Sequence, residues 1–180
     1  GVMHEGAVSV RLGLKGMPSA AEEIMVYREI ALAEITGAHI HILHVSTAGS
    51  VELIRQGKRK GIRVTGEACP HHLTLTDECL RTFDANFKMA PPLRAQSDVD
   101  ALISGLKDGT LEVLATDHAP HAVEKKTREF DQAPNGIIGL ETFLPVSVKA
   151  LIEPGHLDWP GMIKMMTIAP ASVLGIDRGT

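Results

Sequence analysis

The chain has 180 residues, of which 44% are hydrophobic, 22% charged and only 3% aromatic, with a formal net charge of −4. That length suits one ordinary domain or a piece of a larger one, and the composition is that of a water-soluble globular protein. Mild acidity, and the lack of a basic run interleaved with aromatics, exclude a nucleic-acid surface. No apolar run is long enough to span a membrane and no signal peptide opens the chain. Cys69 and Cys79 lack CxxC spacing, which points to free thiols and a cytoplasmic location.

In chain order, Gly1 to Pro18 follows neither the helical nor the strand period and is rich in glycine, so it predicts a loop, and a chain opening on such a loop reads as truncated. Ser19-Ala-Ala-Glu22 has the spacing of a capping box. A helix is predicted from there to Gly37, with Ile24, Tyr27, Ile30, Ala31 and Ile35 on its apolar face. Ala38 to Val45 predicts a strand, Ser50 to Lys60 a helix stopped by Gly61, and Ile62 to Ala68 a second strand delivering Cys69-Pro-His71-His72. The basic residues from Arg55 to Lys60 suit a helix C-terminus, where cations are favoured.

A short helical turn is expected at Thr76 to Leu80 and an extended loop at Asn86 to Arg94, held by paired prolines. Ser97 would cap a helix to Lys107 that buries Val99, Leu102, Ile103 and Leu106; Leu111 to Ala115 follows as a third strand. Ala122 to Gly139 has the length of a lid or binding loop. Helical segments at Leu140 to Ile152, from Asp158-Trp-Pro160, and at Ala171 to Gly175 complete the chain. Helices alternating with strands over short joins imply parallel strands and an α/β fold.

Two strand ends carry the chemistry. Asp117 follows the third strand and precedes His118 and His121, where an aspartate is commonly no more than a turn cap. His44 ends the first strand ahead of a polar turn, where a lone histidine is commonly a satisfied core residue. Imidazole and carboxylate from separate strands nonetheless form a donor set suited to zinc. Either His71 or His72 could line a pocket, although strand-end hydrogen bonding suits them better.

His44-Val-Ser-Thr47, Gly66-Glu-Ala-Cys-Pro-His-His-Leu73, Lys88-Met-Ala-Pro-Pro-Leu-Arg94, Ala115-Thr-Asp-His-Ala-Pro-His121 and Gly139-Leu-Glu-Thr142 resemble, in order, motifs from the second half of dihydroorotases of the bacterial class I type. The opening His4-Glu-Gly6 with Arg11-Leu-Gly13 is similar to the same family. The resemblance implies a zinc-dependent amidohydrolase: strands six to eight of a (β/α)8 TIM barrel, with their helices and the loop after strand five. Residues 1–180 would then form a partial amidohydrolase domain lacking its N-terminal half. His44 would be the strand-six metal ligand, and Asp117 would both hold metal and move a proton. His121 would meet the substrate carboxylate, and Ala90 stands at a substrate-binding position that is usually Asn. The implied reaction interconverts N-carbamoyl-L-aspartate and dihydroorotate in pyrimidine synthesis, with one or two Zn2+ per complete site. Expected partners are a small-molecule substrate, copies of the complete protein in a homo-oligomer, and aspartate carbamoyltransferase as a candidate, with neither nucleic acid nor membrane.

The family's His-x-His and Arg of strand one, its bridging Lys or Asp of strand four and its strand-five His have no counterparts here, so the chain by itself is expected to be inactive. Other readings are a hydantoinase- or allantoinase-type cyclic amidase, and a non-catalytic dihydroorotase-like scaffold for aspartate carbamoyltransferase. The Pro-Pro-Leu-Arg and Asp-His-Ala-Pro-His runs favour dihydroorotase over the first. Intact His44, Asp117 and His121 count against the second.

Overall fold

Strands β3 (Ile40–Ile42), β4 (Val64–Ala68) and β5 (Val113–Leu114) lie side by side and parallel, in that order, in a computed structural model that describes residues 1–177. Register pairs Ile42 with Gly66 and Ala68 with Leu114. Alternation along a strand sends Val64, Gly66 and Ala68 to one face and Thr65 and Glu67 to the other. The first face is covered by α2 (Ala20–Thr36), α3 (Ala48–Arg59) and α5 (Gln96–Lys107), whose Val26, Ile30, Val51, Ile54, Leu102 and Leu106 form one core with Val64, Ala68 and Leu114. Burying a side chain such as Ile54 or Leu106 contributes about 1.5–3 kcal/mol. Gly66 sets the packing distance, because a Cβ there would sit 2.9 Å from Leu111 Cδ2 and 3.1 Å from Ile54 Cδ1.

The parallel α/β arrangement and the order of its elements follow the sequence expectation, but several local expectations do not hold. Residues 1–18 are not loop: β1 (Met3–His4) pairs in parallel with β2 (Gly16–Met17) around α1 (Ala7–Leu12). Strands of two residues have no period to read, and what secures this unit is a small separate core of Met3, Val8, Leu80, Ala85, Phe130 and Ala133. The buried face of α2 is Val26, Ile30 and Ala33, while Ile24, Tyr27 and Ile35 are 66%, 63% and 82% exposed. Two apolar stripes share this helix, and packing against α3 chooses between them: a Cβ at Gly57 would lie 3.2 Å from Ile30 Cγ2.

The expected caps at Ser19 and Ser97 are also not formed. Ser19 has helical backbone and caps nothing, and α5 begins one residue before Ser97 with Ala95 at its N-cap. Acidic side chains near both starts are drawn away to the turn after β3, Glu22 to Ser46 and Thr47 and Asp98 to the Ala48 amide. The 122–139 segment carries a short helix, α6 (Val123–Lys126), and is fastened to the body rather than free as a lid. Lys88 Nζ, buried, donates to the carbonyls of Phe130, Asp131 and Ala133 at 2.7, 3.1 and 2.6 Å, and Lys126 Nζ donates to those of Pro134 and Gly136.

After β4, α4 (Pro70–Thr74) carries His71 and His72. The last part of the chain is helical, as expected. α7 (Phe143–Ser147) passes into a wider π turn at Val148–Ile152. α8 (Trp159–Met166) is capped by Asp158 Oδ1 accepting the Gly161 amide at 2.9 Å, and α9 (Ile168–Leu174) ends at left-handed Gly175. Among the described residues no helix is long and apolar enough to cross a membrane, and Cys69 and Cys79 are free thiols.

Candidate active site

Because β3, β4 and β5 are parallel, their C-terminal ends share one edge of the sheet, and His44, Cys69 and Asp117 all follow that edge. His44 and Asp117 belong to strands two apart, roughly 10 Å between axes at the usual strand spacing. Both depart from ordinary backbone: His44 has φ 35° and Asp117 φ 46°, in the left-handed region that residues with a Cβ rarely adopt. Such strain costs about 1–3 kcal/mol per residue and persists only where neighbours impose it. Phe83 (φ 57°) shares the feature but merely terminates a 3-10 turn at Asp77–Thr82.

The neighbours that impose it on the His44 turn are identifiable. Glu67 Oε1 accepts the His44 amide at 3.1 Å and the Glu67 carbonyl accepts that of Val45 at 2.9 Å. On the far side of the turn, Glu22 Oε1 accepts the amides of Ser46 and Thr47 at 3.0 and 3.2 Å, and its Oε2 accepts the Ser46 hydroxyl. Arg94, only 2% exposed, faces this carboxylate at 3.6 Å and donates to Ser46 Oγ at 3.1 Å and to the Met17 carbonyl at 2.8 Å. Thr47 Oγ1 then caps α3 by accepting the Ser50 amide. An ion pair between buried Arg94 and partly buried Glu22 therefore holds the far side of the turn that presents His44.

At the end of β4, ligand atoms of Cys69, His71 and His72 lie within 4.8 Å of one another, all buried. Burial, reinforced by the nearby His72 and His44, pushes the His71 imidazole down to about 2; burial likewise pushes His72 down to about 4. Burial and the Glu67 and Asp117 carboxylates push the Cys69 thiol well above its usual range. The cluster is thus a protonated thiol beside neutral imidazoles. His72 Nε2 meets the Pro91 carbonyl at 3.0 Å, whereas His72 Nδ1, His71 Nε2 and His44 Nδ1 are buried without a partner. Unpartnered imidazole nitrogens of this kind fit a zinc ion, and the Asp117 carboxylate acts electrostatically on Cys69 of the same cluster.

Of the residues singled out from the sequence, His44 and Ala90 line one cleft of about 630 Å³, with Glu22, His41, Pro91 and Arg94. Asp117 and His121 do not line it. His121 is exposed, and its Nε2 meets the Asn135 carbonyl at 2.8 Å. His118 Nδ1 accepts the amides of Gly139 and Leu140 at 3.0 and 3.1 Å, which makes it a fastener of the following segment. Sequence reasoning missed the roles of Glu22, Glu67, Lys88 and Arg94. A usable signal existed for Glu67, an acidic residue inside an otherwise unionisable strand, and for Lys88 and Arg94, which bracket the Ala90 loop.

A sequence model of the Dihydro-orotase-like family matches residues 1–50. Proteins named dihydroorotase from Geobacter sp. (strain M21) and Acetivibrio thermocellus are 54% and 53% identical over 180 residues, all of this chain and 42% of their own length. Among solved structures, dihydropyrimidinase from Brevibacillus agri superposes with a TM-score of 0.85 at 30% identity, over 91% of this chain and 37% of that one. L-hydantoinase from Arthrobacter aurescens gives 0.80 at 31%, over 86% and 35%. The chain thus spans about two fifths of the length of the curated relatives it matches. The resemblance carried by the ordered motifs holds from end to end: over all 180 residues the chain is similar to proteins named dihydroorotase.

Proposed function

We propose that β3, β4 and β5 are strands six, seven and eight of an amidohydrolase (β/α)8 barrel, and that the protein to which they belong is a dihydroorotase. The observation that carries this reading is local. The positions that the family resemblance marks as metal ligands, His44 and Asp117, are the residues at which two strand ends turn left-handed, and His44 also has a buried nitrogen without a partner.

His44 and Asp117 would hold zinc together with ligands from outside residues 1–177. Zinc supplies a polarised carbonyl and a water acidic enough to attack near neutral pH. In the hydrolytic direction the water oxygen bonds to the ring carbonyl carbon and the ring carbon–nitrogen bond breaks. Asp117 takes the proton the water loses and returns it to the departing nitrogen, yielding N-carbamoyl-L-aspartate; ring closure is the reverse. His121 holds the substrate carboxylate. Ala90 borders the His44 cleft at the position where the family resemblance expects an asparagine. The protein would act in the cytoplasm in pyrimidine synthesis, as a homo-oligomer, with aspartate carbamoyltransferase as a candidate partner.

A cyclic amidase of the hydantoinase or dihydropyrimidinase kind is the second reading. It is favoured by the similarity to the solved dihydropyrimidinase and L-hydantoinase and by Ala90, which cannot make an asparagine's contact. The test is dihydroorotate hydrolysis by the full-length, zinc-loaded protein and its His44→Ala variant. Turnover lost together with zinc in His44→Ala is expected; wild-type turnover by that variant would overturn the assignment.

A further inference from the structure

We infer that Glu67 is a positioning residue for the metal ligand His44, braced from behind by His41. The inference rests on the proposed role of His44 and adds to it the group that aims this histidine.

Glu67 lies on the sheet face opposite the helices, buried, with Val113 beside it on β5. A carboxylate in such a place is costly unless all its oxygens are used. Both are: Oε1 accepts the His44 amide at 3.1 Å and Oε2 meets His41 Nε2 at 3.1 Å. A carboxylate only accepts, so His41 Nε2 carries the proton between them. His41 Nδ1 in turn meets Thr65 Oγ1 at 2.9 Å, which also meets His39 Nε2 at 3.1 Å. This relay runs along β3 and β4 toward the edge that carries His44.

The grip on the turn is double. The ladder between β3 and β4 ends at Ile42 and Gly66, and just beyond it Glu67 holds consecutive amides, His44 through its carboxylate and Val45 through its carbonyl. The carboxylate therefore does what a ladder carbonyl would do, at the one residue whose left-handed backbone turns it out of the ladder. Glu22 and Arg94 fix the next residues, Ser46 and Thr47, and these hydrogen bonds do not reach His44 itself. Aiming the ligand thus falls to Glu67.

The test uses the full-length protein and measures zinc affinity by chelator competition and the visible spectrum of the cobalt form, alongside kcat and KM. Glu67→Ala is expected to weaken zinc binding by about 10–100-fold, the usual cost of removing a ligand's hydrogen-bonding partner, with an altered cobalt spectrum and a lower kcat at little-changed KM. Glu67→Gln keeps an acceptor for the His44 amide and, with His41 in its other tautomer, donates to His41 Nε2 in place of accepting from it, so it is expected to stay within about threefold of wild type. Wild-type zinc affinity in Glu67→Ala, or a Glu67→Gln as impaired as Glu67→Ala, overturns the inference. Should Glu67→Ala not fold, His41→Leu leaves the carboxylate and removes its brace; weaker zinc binding there supports the inference and unchanged binding overturns it. A wild-type protein that binds zinc but leaves dihydroorotate intact removes the reaction assignment, while the zinc measurements still decide the role of Glu67. A wild-type protein that binds no zinc overturns both.

Discussion

His121 Nε2 and the Asn135 carbonyl lie 2.8 Å apart, so the histidine proposed to meet the substrate carboxylate is tied to the far end of the segment that Lys88 and Lys126 fasten down. The ring is held in place before any ligand arrives. On the proposed role, His121→Ala deletes one charge-assisted hydrogen bond to substrate, worth about 1.5–3 kcal/mol. In the full-length protein the expected result is a kcat/KM for dihydroorotate lower by about 10–100-fold, chiefly through KM, with zinc content unchanged. Loss of zinc on metal analysis would make His121 a ligand instead.

Asp117→Asn is an unusually clean substitution, because asparagine tolerates the left-handed backbone (φ 46°) that Asp117 adopts. Fold and volume are kept, while the negative charge and the proton acceptor are lost. Steady-state kinetics in both directions should show kcat reduced by about 10²-fold or more. A near-normal kcat would remove Asp117 from the proton transfers.

Ala90 is exposed and borders the cleft that holds His44. Ala90→Asn places a donor and an acceptor there without disturbing a packed neighbour. For a dihydroorotase, the expected result is a KM for dihydroorotate lowered by about 5–10-fold, the value of one ordinary hydrogen bond, at similar kcat. An unchanged or higher KM would mean that this loop does not contact the substrate.

Burial holds the imidazoles of His71 and His72 neutral down to about 2 and about 4, far below the usual 6.5. With the folded pKa below the unfolded one, the unfolded chain takes up protons first as pH falls. The stability these residues confer is whole above about pH 6.5 and is lost progressively on acidification below it. Urea midpoints of the metal-free, full-length protein should therefore drop steeply between pH 6.5 and 5, and less steeply in His71→Gln. A flat profile in that window would mean that the imidazoles are solvated.

The strands and both strand-end candidates were legible because Ile40-His-Ile-Leu43 and Leu111-Glu-Val-Leu-Ala115 are β-branched or apolar runs cut off by polar turns. What was not legible depends on residues distant in sequence. Nothing around Glu22 reveals that its partners are Ser46, Thr47 and Arg94, so its spacing from Ser19 reads as a capping box. Likewise α2 has two apolar stripes, and only the approach of Ile30 to Gly57 in α3 decides which is buried. The strain at His44 and Asp117 has no counterpart in composition, since neither residue is glycine.

The site is proposed to take a cyclic substrate bearing a carboxylate, although solved structures that match include ones named dihydropyrimidinase and L-hydantoinase. Dihydroorotate and dihydrouracil present the same ring and differ by that carboxylate. The decisive measurement is the ratio of their kcat/KM values with the full-length, zinc-loaded protein. A site that holds the carboxylate rejects the analogue lacking it, so the ratio should favour dihydroorotate by at least about 10²-fold and shrink in His121→Ala. Equal rates, or a preference for dihydrouracil, would contradict the dihydroorotase reading and leave a hydantoinase-type amidase in its place.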